Sequence, residues 1–241
     1  GHAFSPFMPL PSPAREEWRR FLPHLGLLVS GGNTILFSID EEGRIETLAS
    51  TVDDAAGEAL DKGAKLLGIA YPGGAELERR ALGGNDEAFE FPRAFPGRKD
   101  RKFSFSGLKT SLLYAIEKMS DEEIEDRYAD LCASYQSAAM DQLVSKTGQL
   151  LEADDFKSIG LSGGVANNQV LRAAMKELSD KKGILFLAAE PVHTGDNAAM
   201  IAFASAFDSH GFEAKQEEKL TFRPSLSLEE PGINCSSAFP D

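Results

Sequence analysis

The chain has 241 residues, 42% hydrophobic and 26% charged, and its formal charge of -13 argues against non-specific nucleic-acid binding over the whole surface. No apolar run reaches membrane-spanning length and no apolar segment follows a basic start, so neither membrane insertion nor secretion is expected. Two cysteines, Cys132 and Cys235, exclude a disulfide framework or a Cys-rich zinc site and point to a reducing cytoplasm.

Residues 1–24 carry Pro6, Pro9, Pro11, Pro13 and Pro23 and read as a connector, with a short helix over 14–21. An apolar strand over 25–30 then ends in Ser30-Gly31-Gly32-Asn33-Thr34. Backbone N–H groups at a Gly-Gly turn have no Cβ in the way, which is how loops cradle a phosphate, although a plain turn uses the same residues. A hairpin of strands over 34–39 and 44–50 follows across Asp40-Glu41-Glu42-Gly43. Thr51 with Asp54 predicts a capping box for a helix whose apolar face is Ala56, Leu60, Gly63 and Leu67. Its acidic face has two readings. Glu58 with Lys62 and Asp61 with Lys65 make i,i+4 pairs on an exposed surface, or a carboxylate is aimed at a ligand hydroxyl near the next glycine turn, Tyr71-Pro72-Gly73-Gly74.

A short helix over 75–82 closes at Gly83-Gly84, and residues 85–105 show no helical period. Phe89, Phe91, Phe95, Phe103 and Phe105 either pin this loop to the core or stack bases between its cations. From Arg93 to Lys109 six cations stand against Asp100 alone, a window of +5 that leaves -18 for the rest; such an island touches phosphates or is simply solvated. Ser104 or Ser106 is expected to cap a helix to about 119. Ser120 with Glu123 predicts a capping box for a long helix to about 153, with Tyr128, Leu131, Cys132, Tyr135 and Ala139 on its buried stripe.

A strand over 158–161 runs into a second Ser162-Gly163-Gly164, then Asn167-Asn168, a helix over 169–178 and a strand over 184–187, which is α/β logic. Two such turns suggest a nucleotide held from two sides. Asp196 and Asn197 are good caps for a helix over 198–207; the other reading of Asp196 is a metal ligand, with His193 or His2 as partner. Residues 211–241 are expected to be an extended tail.

The segments LLVSGGNT, DDAAGEALDKGAKLLGIAYPGG, FSFSGLKT, SGGVANNQVLR and DNAAMIA, in this order, resemble the TsaD (formerly Gcp) family of tRNA adenosine threonylcarbamoyltransferases over residues 25 to about 209. The resemblance implies an α/β lobe of the actin/Hsp70/sugar-kinase (RNase H-like) type with helical insertions, whose first lobe is largely missing here. It divides the chain into a connector (1–24), a nucleotide-binding lobe (25–210) with a basic Phe-rich loop at 85–105, and the tail. The implied reaction moves threonylcarbamoyl from threonylcarbamoyl-AMP to the exocyclic amine of the adenosine beside the anticodon.

Residue by residue, Leu28, Val29, Ser30, Gly31 and Gly32 match the family's substrate and phosphate turn, Asp61 its ribose-binding acid, Gly74 and Glu78 the neighbouring contacts, and Asn168 the adenosine-side contact. Asp196 matches its metal-binding aspartate. His2 stands as the second half of a His-x-x-x-His pair, implying one divalent iron or zinc ion; no catalytic acid or base is assigned. The resemblance also implies tRNA, TsaB-like and TsaE-like partners, and a chain inactive by itself. Asn33 departs from the histidine of many bacterial members. A non-catalytic scaffold and a small-molecule kinase of the same superfamily remain alternatives; a metalloprotease does not, for want of His-Glu-x-x-His.

Overall fold

The computed structural model describes residues 1–10, 20–97 and 100–207. Six strands form one mixed sheet: β1 (His24–Val29), β2 (Thr34–Ile39), β3 (Ile45–Thr51), β4 (Lys102–Phe103), β5 (Ser158–Ser162) and β6 (Leu185–Ala188), in the order β4-β3-β2-β1-β5-β6. Every residue of β1 is buried, as an apolar central strand covered on both faces requires. Leu25, Leu27 and Val29 face one core, built with the helices; Leu28 faces the other, with Phe37, Ile39, Phe7 and Phe21.

The helices are α1 (Ala56–Leu66), α2 (Gly74–Arg80), α3 (Ser106–Ile116), α4 (Asp121–Asp126), α5 (Tyr128–Ala153), α6 (Gln169–Lys182) and α7 (Ala198–Phe207). On α5 Leu131, Cys132, Tyr135 and Leu143 are fully buried, packed with the other helices. Tyr135 Oη donates to Ala59 O (2.7 Å) and Tyr128 Oη to Leu67 O (2.6 Å), so each aromatic fills the core and satisfies its hydroxyl on α1 or its end.

Strand direction places the loops that matter. β1 runs parallel to β5, β5 to β6 and β3 to β4, while β2 is antiparallel to both β1 and β3. All strands but β2 therefore point the same way. The segments that follow them, at 30–33, 52–55, 104–105, 163–168 and 189–197, lie along one edge, and ligands of α/β sheets bind beyond such carboxyl ends.

Three local expectations are corrected. Thr51 and Asp54 form no capping box: Thr51 Oγ1 donates to Asp54 O (2.7 Å), and the first amide of α1, Ala56 N–H, goes to Thr34 Oγ1 across the sheet (2.9 Å). Ser104 and Ser106 do not cap α3, because both hydroxyls donate to Asp53. The helix expected over 120–153 is two, broken at Arg127, whose guanidinium lies 4.0 Å from the Phe89 ring centroid and donates to Ala88 O (3.3 Å). The capping box that starts it, Ser120 with Glu123, does form. Of the two readings of the phenylalanines the anchoring one holds for Phe91, Phe103 and Phe105: all three are buried, and Phe91 meets Tyr135 edge-on at 5.7 Å, so these rings offer no platform for bases. The expected helix over 14–21 falls largely, and the tail over 211–241 wholly, outside the described residues.

Candidate functional site

Gly31, Asp61, Gly74, Glu78, Gly164 and Asn168 line a cavity of about 300 Å3 at the carboxyl edge, where the loops after β1 and β5 face α1 and α2. Five of the nine residues expected at the nucleotide thus share one concavity; Leu28, Val29, Ser30 and Gly32 do not line it. Leu28 and Val29 are buried on opposite faces of the sheet, which leaves their backbone as the part able to meet a ligand.

The turn after β1 is closed by its own serine. Ser30 Oγ accepts from Gly32 N–H (3.3 Å) and Asn33 N–H (3.0 Å), and Ser30 N–H donates to Asn33 O (2.8 Å). Two of the amides that a simple phosphate cradle would offer, those of Gly32 and Asn33, are therefore already engaged. Gly57, at the start of α1, donates to Ser30 O (3.3 Å), and a Cβ there would sit 2.5 Å from that oxygen and 2.9 Å from Gly31 N. Backbone cannot give way as a side chain can. Gly57→Ala is expected to lower stability by about 1–3 kcal/mol, read as an earlier urea midpoint, and to displace the 30–33 turn. The second turn has the same tightness from the other side: Gly163 has φ 87°, and a Cβ on it would lie 2.3 Å from Val29 O.

Asp61 is not the solvated member of an i,i+4 pair. Its Oδ1 accepts from Gly73 N–H (2.8 Å) and Gly74 N–H (2.9 Å), locking the start of α2 against α1, and no hydrogen bond among the described residues reaches Oδ2. Glu58 does pair with Lys62 (3.1 Å), which also reaches Asp54 (2.6 Å). Glu78 Oε1 accepts from Gln169 N–H (2.7 Å), the first amide of α6. Asn168 caps the same helix by accepting from Leu171 N–H (2.9 Å), and its amide donates to Gln136 Oε1 (3.0 Å). One lone pair and one N–H of that side chain remain for a ligand. Gln136, which holds the Asn168 amide without lining the cavity, is a supporting residue that sequence reading missed; a glutamine on the apolar stripe of α5 was its signal.

At the far end of the same edge His2 Nε2 lies 3.0 Å from Asp196 Oδ1, joining residues 194 positions apart. Asp196 leaves the capping of α7 to Asn197, whose Oδ1 accepts from Met200 N–H (2.9 Å). His2 Nδ1 is buried with no hydrogen-bond partner among the described residues. An imidazole nitrogen and an exposed carboxylate are the donor types of a borderline cation such as zinc or iron. The pair fits such an ion in type and supplies two donors; no third His, Cys, Asp or Glu among the described residues completes a cluster.

Beside β4, the Asp53 carboxylate accepts from Ser104 Oγ, Ser106 Oγ (2.8 Å), Phe105 N–H (2.8 Å) and Ser106 N–H (3.3 Å), which holds its pKa below the usual carboxylate value against the opposing effect of desolvation. This clamp, unforeseen in the sequence, ties the β3–α1 loop to the start of α3.

Comparison with known proteins agrees with these motifs. The TsaD family model, described as tRNA N6-adenosine threonylcarbamoyltransferase, matches residues 2–203. A protein of that name from Geotalea uraniireducens is 48% identical over 180 residues, covering 75% of this chain and 52% of the relative. Another, from Thermosipho melanesiensis, is 43% identical over 206 residues, covering 86% of this chain and 61% of the relative. The chain thus spans about half to six-tenths of the length of the curated relatives it matches. Among solved structures, HypF of T. kodakarensis superposes with a TM-score of 0.57 at 19% identity, covering 75% of this chain and 33% of that one. That likeness concerns the fold alone and agrees with the expected mixed α/β lobe.

Proposed function

The chain belongs to the TsaD family of tRNA N6-adenosine threonylcarbamoyltransferases, and from that premise we propose that residues 25–210 form the lobe that holds threonylcarbamoyl-AMP while its acyl group passes to the adenosine beside the anticodon. The observation that carries this reading is the cavity itself. Asp61, Gly74, Glu78 and Asn168 come from α1, α2 and the start of α6, and converge on one concavity with Gly31.

On this reading Asp61 Oδ2 accepts from the ribose hydroxyls while Oδ1 keeps the Gly73-Gly74 turn in place. Asn168 and Glu78 border the nucleoside side. The Gly31 end of the turn faces the phosphate, and the N-terminus of α1 favours its negative charge through the helix dipole alone, its Ala56 and Gly57 amides being held by Thr34 Oγ1 and Ser30 O. In the transfer the exocyclic amine forms a bond to the carbamoyl carbon, the bond from that carbon to the phosphate oxygen breaks, AMP leaves, and the amine loses a proton. His2 and Asp196 would hold the divalent metal, and such an ion, when bound, polarises a carbonyl oxygen. tRNA is the implied substrate. TsaB-like and TsaE-like partners, a cytoplasmic setting, and inactivity of this chain by itself belong to the same proposal; no helix among the described residues is long and apolar enough to cross a membrane.

The test is calorimetric titration of the chain with a non-hydrolysable threonylcarbamoyl-AMP analogue. Saturable binding competed by AMP is expected, together with modified adenosine only when tRNA and the partner proteins are supplied with a full-length enzyme. An absence of binding by both this chain and the full-length enzyme would overturn the reading.

A further inference from the structure

We infer that Arg101, Lys102 and Lys109 form a phosphate-binding strip that receives the sugar–phosphate backbone of a single-stranded RNA loop, an inference that rests on the transferase reading above. The starting observation is how this acidic chain uses its cations. Arg44, Lys62, Arg79, Arg80, Arg93 and Lys157 each lie in an ion pair, several of them short. Arg93 therefore drops out of the basic island read in the sequence, being held by Asp141 (2.9 Å from Nε). Arg98 and Lys99 lie outside the described residues. Arg101, Lys102 and Lys109 are exposed and have no acidic partner among the described residues.

Of the acids near them, Asp53 is spent on the hydroxyls and amides of Ser104, Phe105 and Ser106, while Asp100, exposed beside Arg101, offsets one of the three charges and leaves the strip net positive. The Asp53 clamp also fixes where the strip lies. It binds the segment between Lys102, the first residue of β4, and Lys109, in the first turn of α3, to the loop after β3. Phe103 and Phe105 are buried beneath, so the backbone carrying the three cations is anchored from below. Exposed, unpaired cations on an anchored segment are what backbone contacts to nucleic acid use.

The placement relative to the cavity is set by the sheet. β4 lies three strands from β1 on the same carboxyl edge, roughly 14 Å at the usual strand spacing. An adenosine that enters the cavity next to β1 thus carries the neighbouring nucleotides of its loop across β2 and β3 toward the strip. The strip contributes position and affinity, with no reading of base identity.

The test is the salt dependence of binding of an unmodified anticodon stem-loop to the full-length enzyme with its partners. Each single-strand phosphate contact contributes roughly 0.7 to the slope of log K against log salt, so replacing Arg101, Lys102 and Lys109 together by alanine should lower the slope by about 2. Affinity for the threonylcarbamoyl-AMP analogue should stay unchanged. Lys65→Ala, Lys118→Ala and Lys182→Ala together remove the same charge near the C-terminal ends of α1, α3 and α6, and should leave the slope as it was. An unchanged slope in the strip variant, or an equal fall in the control, overturns the proposal. Failure of the transferase reading is separable, because there the unmutated enzyme would bind no analogue.

Discussion

Asp61→Ala is expected to abolish measurable binding of the threonylcarbamoyl-AMP analogue, a loss on the order of a hundredfold or more, while Asp61→Asn keeps the turn and loses binding more modestly. Alanine removes both oxygens. The partly buried N–H groups of Gly73 and Gly74 then lose their shared acceptor, at about 1–3 kcal/mol for each one left unpaired, and the start of α2 is released from α1. Glu78 sits on that helix, so its bond to the first amide of α6 is disturbed as well. Asparagine can present its carbonyl to the same two amides, so it preserves the scaffold while deleting the charge. Titration of both variants, with circular dichroism to check folding, separates the two roles. Equal affinity in alanine variant and parent would remove Asp61 from the site.

Acid should weaken the fold well above the carboxylate range because of one histidine. His24 is fully buried in β1, its Nδ1–H donates to Ser158 Oγ (2.7 Å), the Ser158 hydroxyl donates in turn to Phe21 O (2.6 Å), and Nε2 has no partner among the described residues. Burial pushes its pKa down from 6.5 to about 3. The sign follows directly. Above pH 6.5 neither state holds the proton and the stability is fully present; as pH falls below 6.5 the unfolded chain takes a proton that the folded chain refuses, and stability drops by about 1.4 kcal/mol per pH unit toward pH 3. Between pH 6.5 and 5, before most carboxylates titrate, the loss from this residue is about 2 kcal/mol. His24→Phe, which keeps a ring beside Phe7 (4.7 Å between centroids in the parent), should flatten that slope. Urea melts at the two pH values check it; an identical slope in the variant would remove His24 as the cause.

The strands and the glycine turns were legible because their signals are local. The strand over 34–39 has the bounds expected of it, and Ser120 meets Glu123 three residues on as its spacing demands. The two failed caps share a physical reason. A serine or threonine before a helix is only a candidate donor or acceptor, and in each case a partner distant in sequence won: Asp53 took Ser104 and Ser106, and Thr34 took the first amide of α1. Asp61 shows the same for the site. Its i,i+4 spacing with Lys65 was visible, whereas the two amides it holds come from a turn a dozen residues away that only the packed fold brings near. Gln136 and β4 were missed for want of periodicity: one is a lone polar group on a buried stripe, the other two residues in a long loop.

The His2–Asp196 contact has a consequence for biosynthesis. During translation the chain completes the cavity-lining residues once Asn168 has emerged, yet the His2 imidazole, which precedes every described strand, waits until Asp196 arrives before it meets its partner. Nascent protein interrupted after β6 would retain the glycine turns, Asp61 and Asn168 and would lack the donor pair. Coupling the pair to the last strand–helix connection thus makes the presence of both donors a report that nearly the whole described chain has been synthesised and folded.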